Sequence, residues 1–273
     1  MSRIEKAIER AAQLRNFSTE PKAPLAQADS TPKGVGRKSG FEQLLEVDPL
    51  SIENPFLVMA HQNNDTVCEA YKKLKSLIIR LTKGQSFQNT LLVTSTVREE
   101  GKSLTSINLA IALAQGYDHT VLLVDTDLRK PSIHEFLGLK PKTGLVQCLR
   151  EEVSLDQALI KTGIGKLVVL PAGGTVPDPV ELLSSNRMKS LISEVKARYP
   201  ERFVIFDTPP VYPFAEAQVL GPSVDGVVFV VRDGVAPAQQ MKEALGSLKD
   251  ANLLGVVFND ASFSPPKGHN YYY

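Results

Sequence analysis

Gly101, Lys102 and Ser103 stand together where an apolar run, NTLLVTST, gives way to a helical pattern, SLTSINLAIALAQ. A glycine, a lysine and a hydroxyl between a strand and a helix are the parts of a phosphate-binding loop. Backbone N–H groups and the helix N-terminus favour an anion, the ammonium reaches the β- and γ-phosphates, and the hydroxyl faces Mg²⁺. The candidate nucleotide cradle comprises Thr96, Val97, Arg98, Glu99, Glu100, Gly101, Lys102, Ser103 and Leu104. Thr96 takes the place of the usual first glycine, and Glu99 and Glu100 oppose phosphate charge if their carboxylates point inward.

Two further apolar runs end on carboxylates. VLLVDTDLR closes on Asp125 and Asp127, two residues apart and so on one face of a strand; FVIFDTPP closes on Asp207. A single aspartate there is most simply a turn residue or a helix cap. Ligand sites in open parallel sheets lie at the carboxyl ends of strands, however, so all three carboxylates are expected to share one sheet edge with the cradle. The expected site binds Mg·ATP. Asp207 holds a metal-bound water, Asp125 polarises an acceptor hydroxyl, and Asp127 contacts the metal shell or a neighbouring loop. The candidate acceptors are Tyr271, Tyr272 and Tyr273, behind the Pro- and Gly-bearing stretch SFSPPKGHN. Fully extended, the segment from Asn259 to Tyr273 spans at most roughly 50 Å. A phenol near pKa 10 needs its proton taken, and a carboxylate such as Asp125 can do so while Lys102 and Mg²⁺ steady the transferring phosphoryl group.

These groups need a scaffold. The runs NTLLVTST, TVLLVDTD, KLVVLPAG, RFVIFDTPP, DGVVFVVRDG and LLGVVFND read as strands. TVCEAYKKLKSLIIRL, SLTSINLAIALAQ, PVELLSSNRMKSLISEVKARY and PAQQMKEALGSLKDA read as helices, with Asp178-Pro179 as N-cap and first helical residue. Alternation of the two predicts an α/β fold: a mainly parallel sheet flanked by helices on both faces. Upstream, Ile4, Ala7, Ile8, Ala11 and Leu14 form the apolar face of an amphipathic helix over residues 1–15, suited to docking a partner. Residues 16–55, rich in Pro, Ser, Gly and Lys, read as a linker. The folded domain is expected over 56–260 and a tyrosine-bearing tail over 261–273.

Composition sets outer bounds. Hydrophobic residues make up 42% of the 273, enough for a packed core, and the net charge of +1 gives no global signal for nucleic acid. Cys68 and Cys148 are far apart and read as ordinary thiols in a reducing compartment. No apolar run approaches the ~20 residues of a spanning helix. The expected location is therefore cytoplasmic, with association at the inner membrane coming from a partner or from the surface of a helix.

EEGKS, VLLVDTDLRKP, FVIFDTPP and the terminal tyrosines together resemble the bacterial tyrosine autokinases of capsule and exopolysaccharide export, P-loop proteins, from about Glu69 onward. The N-terminal helix is similar to the branch found with exosortase-type systems. The resemblance implies Mg·ATP binding by the three motifs, autophosphorylation of the tail tyrosines, which can enter a neighbouring copy's site or their own, and a membrane polysaccharide co-polymerase as partner. It also implies rings built through a Glu-x-x-Arg-x-x-Arg helix, matched here by Glu69, Lys72 and Lys75, where lysine lacks the bidentate fork of arginine. Family loops read Pro-Gly where this one has Arg98-Glu99. Two rivals share the architecture. A partitioning or division ATPase carries a second lysine where Val97 stands; a regulatory scaffold binds nucleotide without transferring phosphate.

Overall fold

Runs of Val, Ile, Leu and Phe set the strands of this computed structural model, which describes residues 47–61, 65–83, 88–198 and 202–261. In chain order the elements are α1 (Val58–His61), α2 (Thr66–Thr82), β1 (Thr90–Ser95), α3 (Lys102–Ala114), β2 (Thr120–Asp125), α4 (Ile133–Phe136), α5 (Leu145–Leu149) and α6 (Leu155–Ala158). There follow β3 (Ile160–Lys161), β4 (Leu167–Leu170), α7 (Pro179–Ser184), α8 (Asn186–Arg198), β5 (Arg202–Asp207), α9 (Glu216–Leu220), a 3-10 turn (Gly221–Ser223), β6 (Gly226–Arg232), α10 (Ala238–Ser247) and β7 (Leu253–Asn259).

The sheet has seven strands in the order β3-β4-β2-β5-β1-β6-β7. All neighbours are parallel except β3, which pairs antiparallel with β4. β1, β2 and β5 are buried along their whole length, as expected of central strands covered on both faces. The period-two alternation divides them between two cores. Leu91, Val93, Val121, Leu123, Phe203 and Ile205 face the helices α2 and α3, while Leu92, Leu122, Val124, Val204 and Phe206 face the layer that includes α8 and α10. Full burial of each such side chain stabilises the fold by about 1.5–3 kcal/mol.

The register decides what happens at the carboxyl edge. Asp125 pairs directly with Asp207 across β2 and β5, and Val93 of β1 pairs with Asp207 on the other side. The chain therefore leaves three adjacent strands at one level, and the loops that follow meet there.

Three details depart from the sequence reading. The long helical pattern starting at Pro179 is two helices, because Ser185 takes an extended backbone (φ −60, ψ 155) and its hydroxyl accepts from Met188 N–H at 3.2 Å, restarting the chain as a cap. The first of them begins as read, with Asp178 capping and Pro179 leading. The antiparallel β3 was not anticipated. Contacts also begin upstream of residue 56: Leu50 N–H donates to Thr162 O at 2.9 Å, and Ile52 packs on a core. The expected N-terminal helix, most of the linker and the tail lie outside the described residues.

Candidate active site

The loop after β1 turns through residues that sequence alone would place there reluctantly. Glu99 has φ 66 and Gly101 has φ 88, both left-handed; only the second is a glycine. Gly101 is required on a second count, since a Cβ there would lie 2.1 Å from Asn259 Nδ2. That amide, at the end of β7, donates to Glu100 O at 3.0 Å. Arg232, at the end of β6, ties the same loop down: its N–H donates to Glu100 Oε1 at 3.4 Å and its guanidinium to Glu99 O at 3.3 Å and Asp260 Oδ2 at 2.8 Å.

Glu100 does not point at the phosphate position. Its side chain is fully buried and folds back into its own loop, where Oε2 accepts from Val97 N–H at 2.7 Å. Burial pushes its carboxyl up, against the pull of the Val97 and Arg232 N–H groups. The expected conflict between Glu100 and phosphate is thus absent, and the carboxylate serves to shape the loop. Thr96 is buried and accepts from Tyr212 N–H through its carbonyl at 2.9 Å; Leu104 packs on the core beneath. Exposed Arg98 lies over the ring of Phe214, 5.4 Å from its centroid.

Lys102 opens α3 and reaches across to the aspartates. Its Nζ lies 2.9 Å from Asp127 Oδ2, 3.9 Å from Asp207 Oδ2 and 3.1 Å from Ser103 Oγ. Burial opposes the charge on the ammonium, but Asp207 and Asp127 outweigh it and hold Lys102 above its ordinary range. Asp207 is wholly buried; Ser106 Oγ bonds its Oδ1 at 3.0 Å, and its Oδ2 has no hydrogen-bond partner among the described residues. Burial raises its carboxyl, against Lys102.

Asp125 differs from its expected part. Its Oδ1 accepts from Asp127 N–H at 3.2 Å, and its Oδ2 accepts from Ser132 N–H at 3.1 Å and Ile133 N–H at 3.2 Å. Both oxygens are occupied in organising the loop from β2 to α4, and none of the residue is exposed. Burial, and next the charge of Asp207, push this carboxyl up to about 8. A carboxyl so placed is suited to positioning. Asp127, which it orients, also accepts from Lys130 N–H at 3.0 Å through Oδ1 and presents Oδ2 to Lys102.

An orphaned, buried Asp207 oxygen beside a hydroxyl and a lysine suits a hard divalent cation. Mg²⁺ is commonly held by one or two carboxylates together with substrate phosphates and waters. Among the described residues no group of three or more His, Cys, Asp or Glu is disposed to hold a metal by itself. The residues therefore fit a cation that arrives with a phosphate ligand.

Sequence reasoning did not find Ser106, Arg232 or Glu216. Glu216, on α9, is fully buried and bonds Arg129 Nε at 2.6 Å, while the Arg129 guanidinium stacks 4.6 Å from the Phe214 centroid. Arg129 follows Asp127 in a motif already singled out, but nothing local marks Glu216, 87 residues further on. Glu69 and Lys72 are exposed on α2 and pair at 2.6 Å. Lys75 is half-buried near Gly116, where a Cβ would come within 3.2 Å of its Nζ. That is the far end of α3, about 20 Å from the cradle at 1.5 Å per residue. Tyr271, Tyr272 and Tyr273 lie outside the described residues.

A strand–cradle–helix unit facing aspartates from two neighbouring strands defines a nucleotide-binding P-loop fold, and comparison agrees. Residues 91–268 match the CobQ/CobB/MinD/ParA nucleotide binding domain, and the chain belongs to that family. It is 41% identical over 186 residues to the tyrosine-protein kinase YwqD of Bacillus subtilis, covering 67% of this chain and 77% of that one. It is 30% identical over 217 residues to the succinoglycan biosynthesis transport protein ExoP of Rhizobium meliloti, 78% of this chain but 27% of that longer one. The crystal structure of the chimerical protein CapA2B2 superposes with a TM-score of 0.69 at 31% identity, over 80% of this chain and 96% of that one. Within the family, its place is among the bacterial tyrosine-protein kinases.

Proposed function

We propose that this kinase transfers the γ-phosphoryl group of Mg·ATP to Tyr271, Tyr272 and Tyr273 of a neighbouring copy, and that this regulates polysaccharide polymerisation or export through a membrane co-polymerase. The carrying observation is the convergence of Lys102, Asp127 and Asp207 at one end of three adjacent strands.

ATP lies with its phosphates over the loop from Thr96 to Leu104. Ser103 and Asp207 would hold Mg²⁺, which would supply charge neutralisation on the transferring group. Lys102 exchanges its contact with Asp127 for the β- and γ-phosphates. Asp127 Oδ2, relieved of its ammonium, takes the phenol proton as the tyrosine oxygen bonds to the γ-phosphorus. The bond from that phosphorus to the bridging oxygen breaks, and ADP leaves. Asp125 keeps Asp127 in place through the N–H it accepts; the proton-accepting role expected of Asp125 passes to Asp127, whose oxygen faces the cradle. Glu69, Lys72 and Lys75 form a contact between copies, distant from the chemistry.

The test incubates the full chain with Mg·ATP and maps phosphate by mass spectrometry. Phosphate is expected on the tyrosines of the wild type, and none in Lys102→Met or the Tyr271/Tyr272/Tyr273→Phe variant. Persistence in Lys102→Met would remove the assigned site, and ATP binding without transfer would select the scaffold reading.

A further inference from the structure

Beside the candidate active site, on the side of β4, lies a cleft of about 710 Å³ that the mechanism does not use. One wall is the stretch from Arg129 through α4 to Pro141, and the other is Gly173 to Thr175, after β4. Both walls leave the carboxyl edge of the sheet, so cleft and cradle open at the same level. They are also mechanically joined, because Lys130 N–H donates to Asp127 Oδ1 at 3.0 Å.

The cleft is basic. Lys130 and Lys140 are exposed, and neither pairs with a carboxylate among the described residues. Arg129 is engaged by Glu216, and His134 and Glu135 complete the ionisable lining. The neighbouring catalytic edge sets Asp127 and Asp207 against one lysine. An anion approaching this end of the molecule is therefore repelled at the centre and attracted at the side.

We infer that this cleft receives the phosphate of an already phosphorylated tyrosine while a neighbouring tyrosine of the same segment occupies the cradle. The inference rests on the kinase reading above, and it assigns that site a preferred substrate: a tyrosine segment of a second copy, already phosphorylated two residues from the acceptor. The acceptors are consecutive, so after the first transfer every remaining phenol lies within two residues of a phosphate carrying roughly −1.5 to −2 charge. Side chains two apart in an extended segment face the same way, about 7 Å from each other, so with Tyr273 in the cradle a phosphate on Tyr271 faces the protein beside it, away from the aspartates. Lys130 and Lys140 bind it as point charges, without a requirement for one fixed geometry. The cleft thereby turns the product of one transfer into a better substrate for the next.

Two peptides with the sequence of residues 262–273, one unmodified and one carrying phosphate on Tyr271, test this against the full chain with Tyr271/Tyr272/Tyr273→Phe, which removes competition from its own tail. Fluorescence anisotropy reads binding, and the rate of phosphate incorporation reads kcat/KM. The phosphorylated peptide is expected to bind, and to be used, about five- to tenfold better at low salt, the advantage shrinking as salt screens it. Lys130→Ala/Lys140→Ala should lose that preference while keeping its rate on the unmodified peptide, and Lys130→Arg/Lys140→Arg should retain it. Equal binding of the two peptides to the parent protein, or a preference that survives in the alanine variant, overturns the assignment. Selective binding without transfer to either peptide would instead defeat the kinase reading and leave the cleft's ligand as assigned.

Discussion

Glu99 carries a cost that its position explains. A non-glycine residue at φ 66 pushes its Cβ toward its own carbonyl, and holding such a conformation costs of order 1–3 kcal/mol. The loop keeps it there by gripping on either side: Glu100 bonds Val97 N–H, and Arg232 bonds Glu99 O. Glu99→Gly should therefore stabilise the protein by about 1 kcal/mol, read as a higher urea midpoint with an unchanged slope, because the exposed carboxylate has no partner to lose among the described residues. Loss of stability in that variant would mean that the side chain makes a contact worth more than the strain. The same reasoning separates Glu99 from Glu100. One is a surface residue in a strained conformation, while the other is a buried strut whose two oxygens replace absent backbone partners.

At the scale of elements, the amino ends of the central strands need fastening as much as their carboxyl ends. Asp225, just before β6, supplies it. Its Oδ2 accepts from Asn89 N–H and Thr90 N–H, each at 3.0 Å, and from Thr90 Oγ1 at 2.7 Å, while Oδ1 pairs with Lys196 of α8. One carboxylate thus joins β1, β6 and α8 before the cradle strand begins. Burial alone would raise this carboxyl, but the bonds from Lys196 and Thr90 outweigh it and hold it below the ordinary carboxylate range. A depressed folded pKa means stability that is present above the unfolded value near ~3.9 and is lost as pH falls through the folded one. Asp225→Ala leaves two strand N–H groups without their acceptor and should cost about 1–3 kcal/mol at pH 7. The gap from wild type should begin to narrow below about pH 4, where the carboxylate of the unfolded chain takes up a proton while the folded one stays charged. Urea melts of both proteins at pH 7 and pH 3.5 check this; a gap that stays constant with pH would show that the charge contributes nothing.

For the whole molecule, what could be read in advance was whatever one stretch of chain determines by itself. Six parallel strands are visible as β-branched and aliphatic runs, and the cradle is visible because Gly101, Lys102 and Ser103 fall between a strand pattern and a helix pattern. The convergence of Asp125 and Asp207 follows from a rule about parallel sheets, which the observed register satisfies. Contacts between distant stretches leave no such mark. Arg232 and Asn259 hold the loop from 132 and 159 positions away, and which oxygens of Asp125 are already taken depends on the path of a loop that no periodicity describes. The same global view yields a thermodynamic consequence. Three carboxylates share this edge with one lysine, and one of them is pushed up to about 8 by burial and by its neighbour Asp207. The ligand-free fold therefore bears unfavourable electrostatics at its centre, which a divalent cation carried in with a nucleotide relieves. Because unfolded chain has no such site, binding must raise global stability, by about 2.7 kcal/mol at a hundredfold excess over Kd. Mg·ATP is expected to raise the wild type's unfolding free energy by that amount, read as a higher urea midpoint at unchanged slope. ATP with EDTA should recover only a minor part, since triphosphate without its cation adds negative charge to an acidic edge. Lys102→Met should show no shift with either. A rise as large with EDTA as with Mg²⁺ would show that Asp207 and Ser103 hold no cation and that the nucleotide is bound by the loop alone.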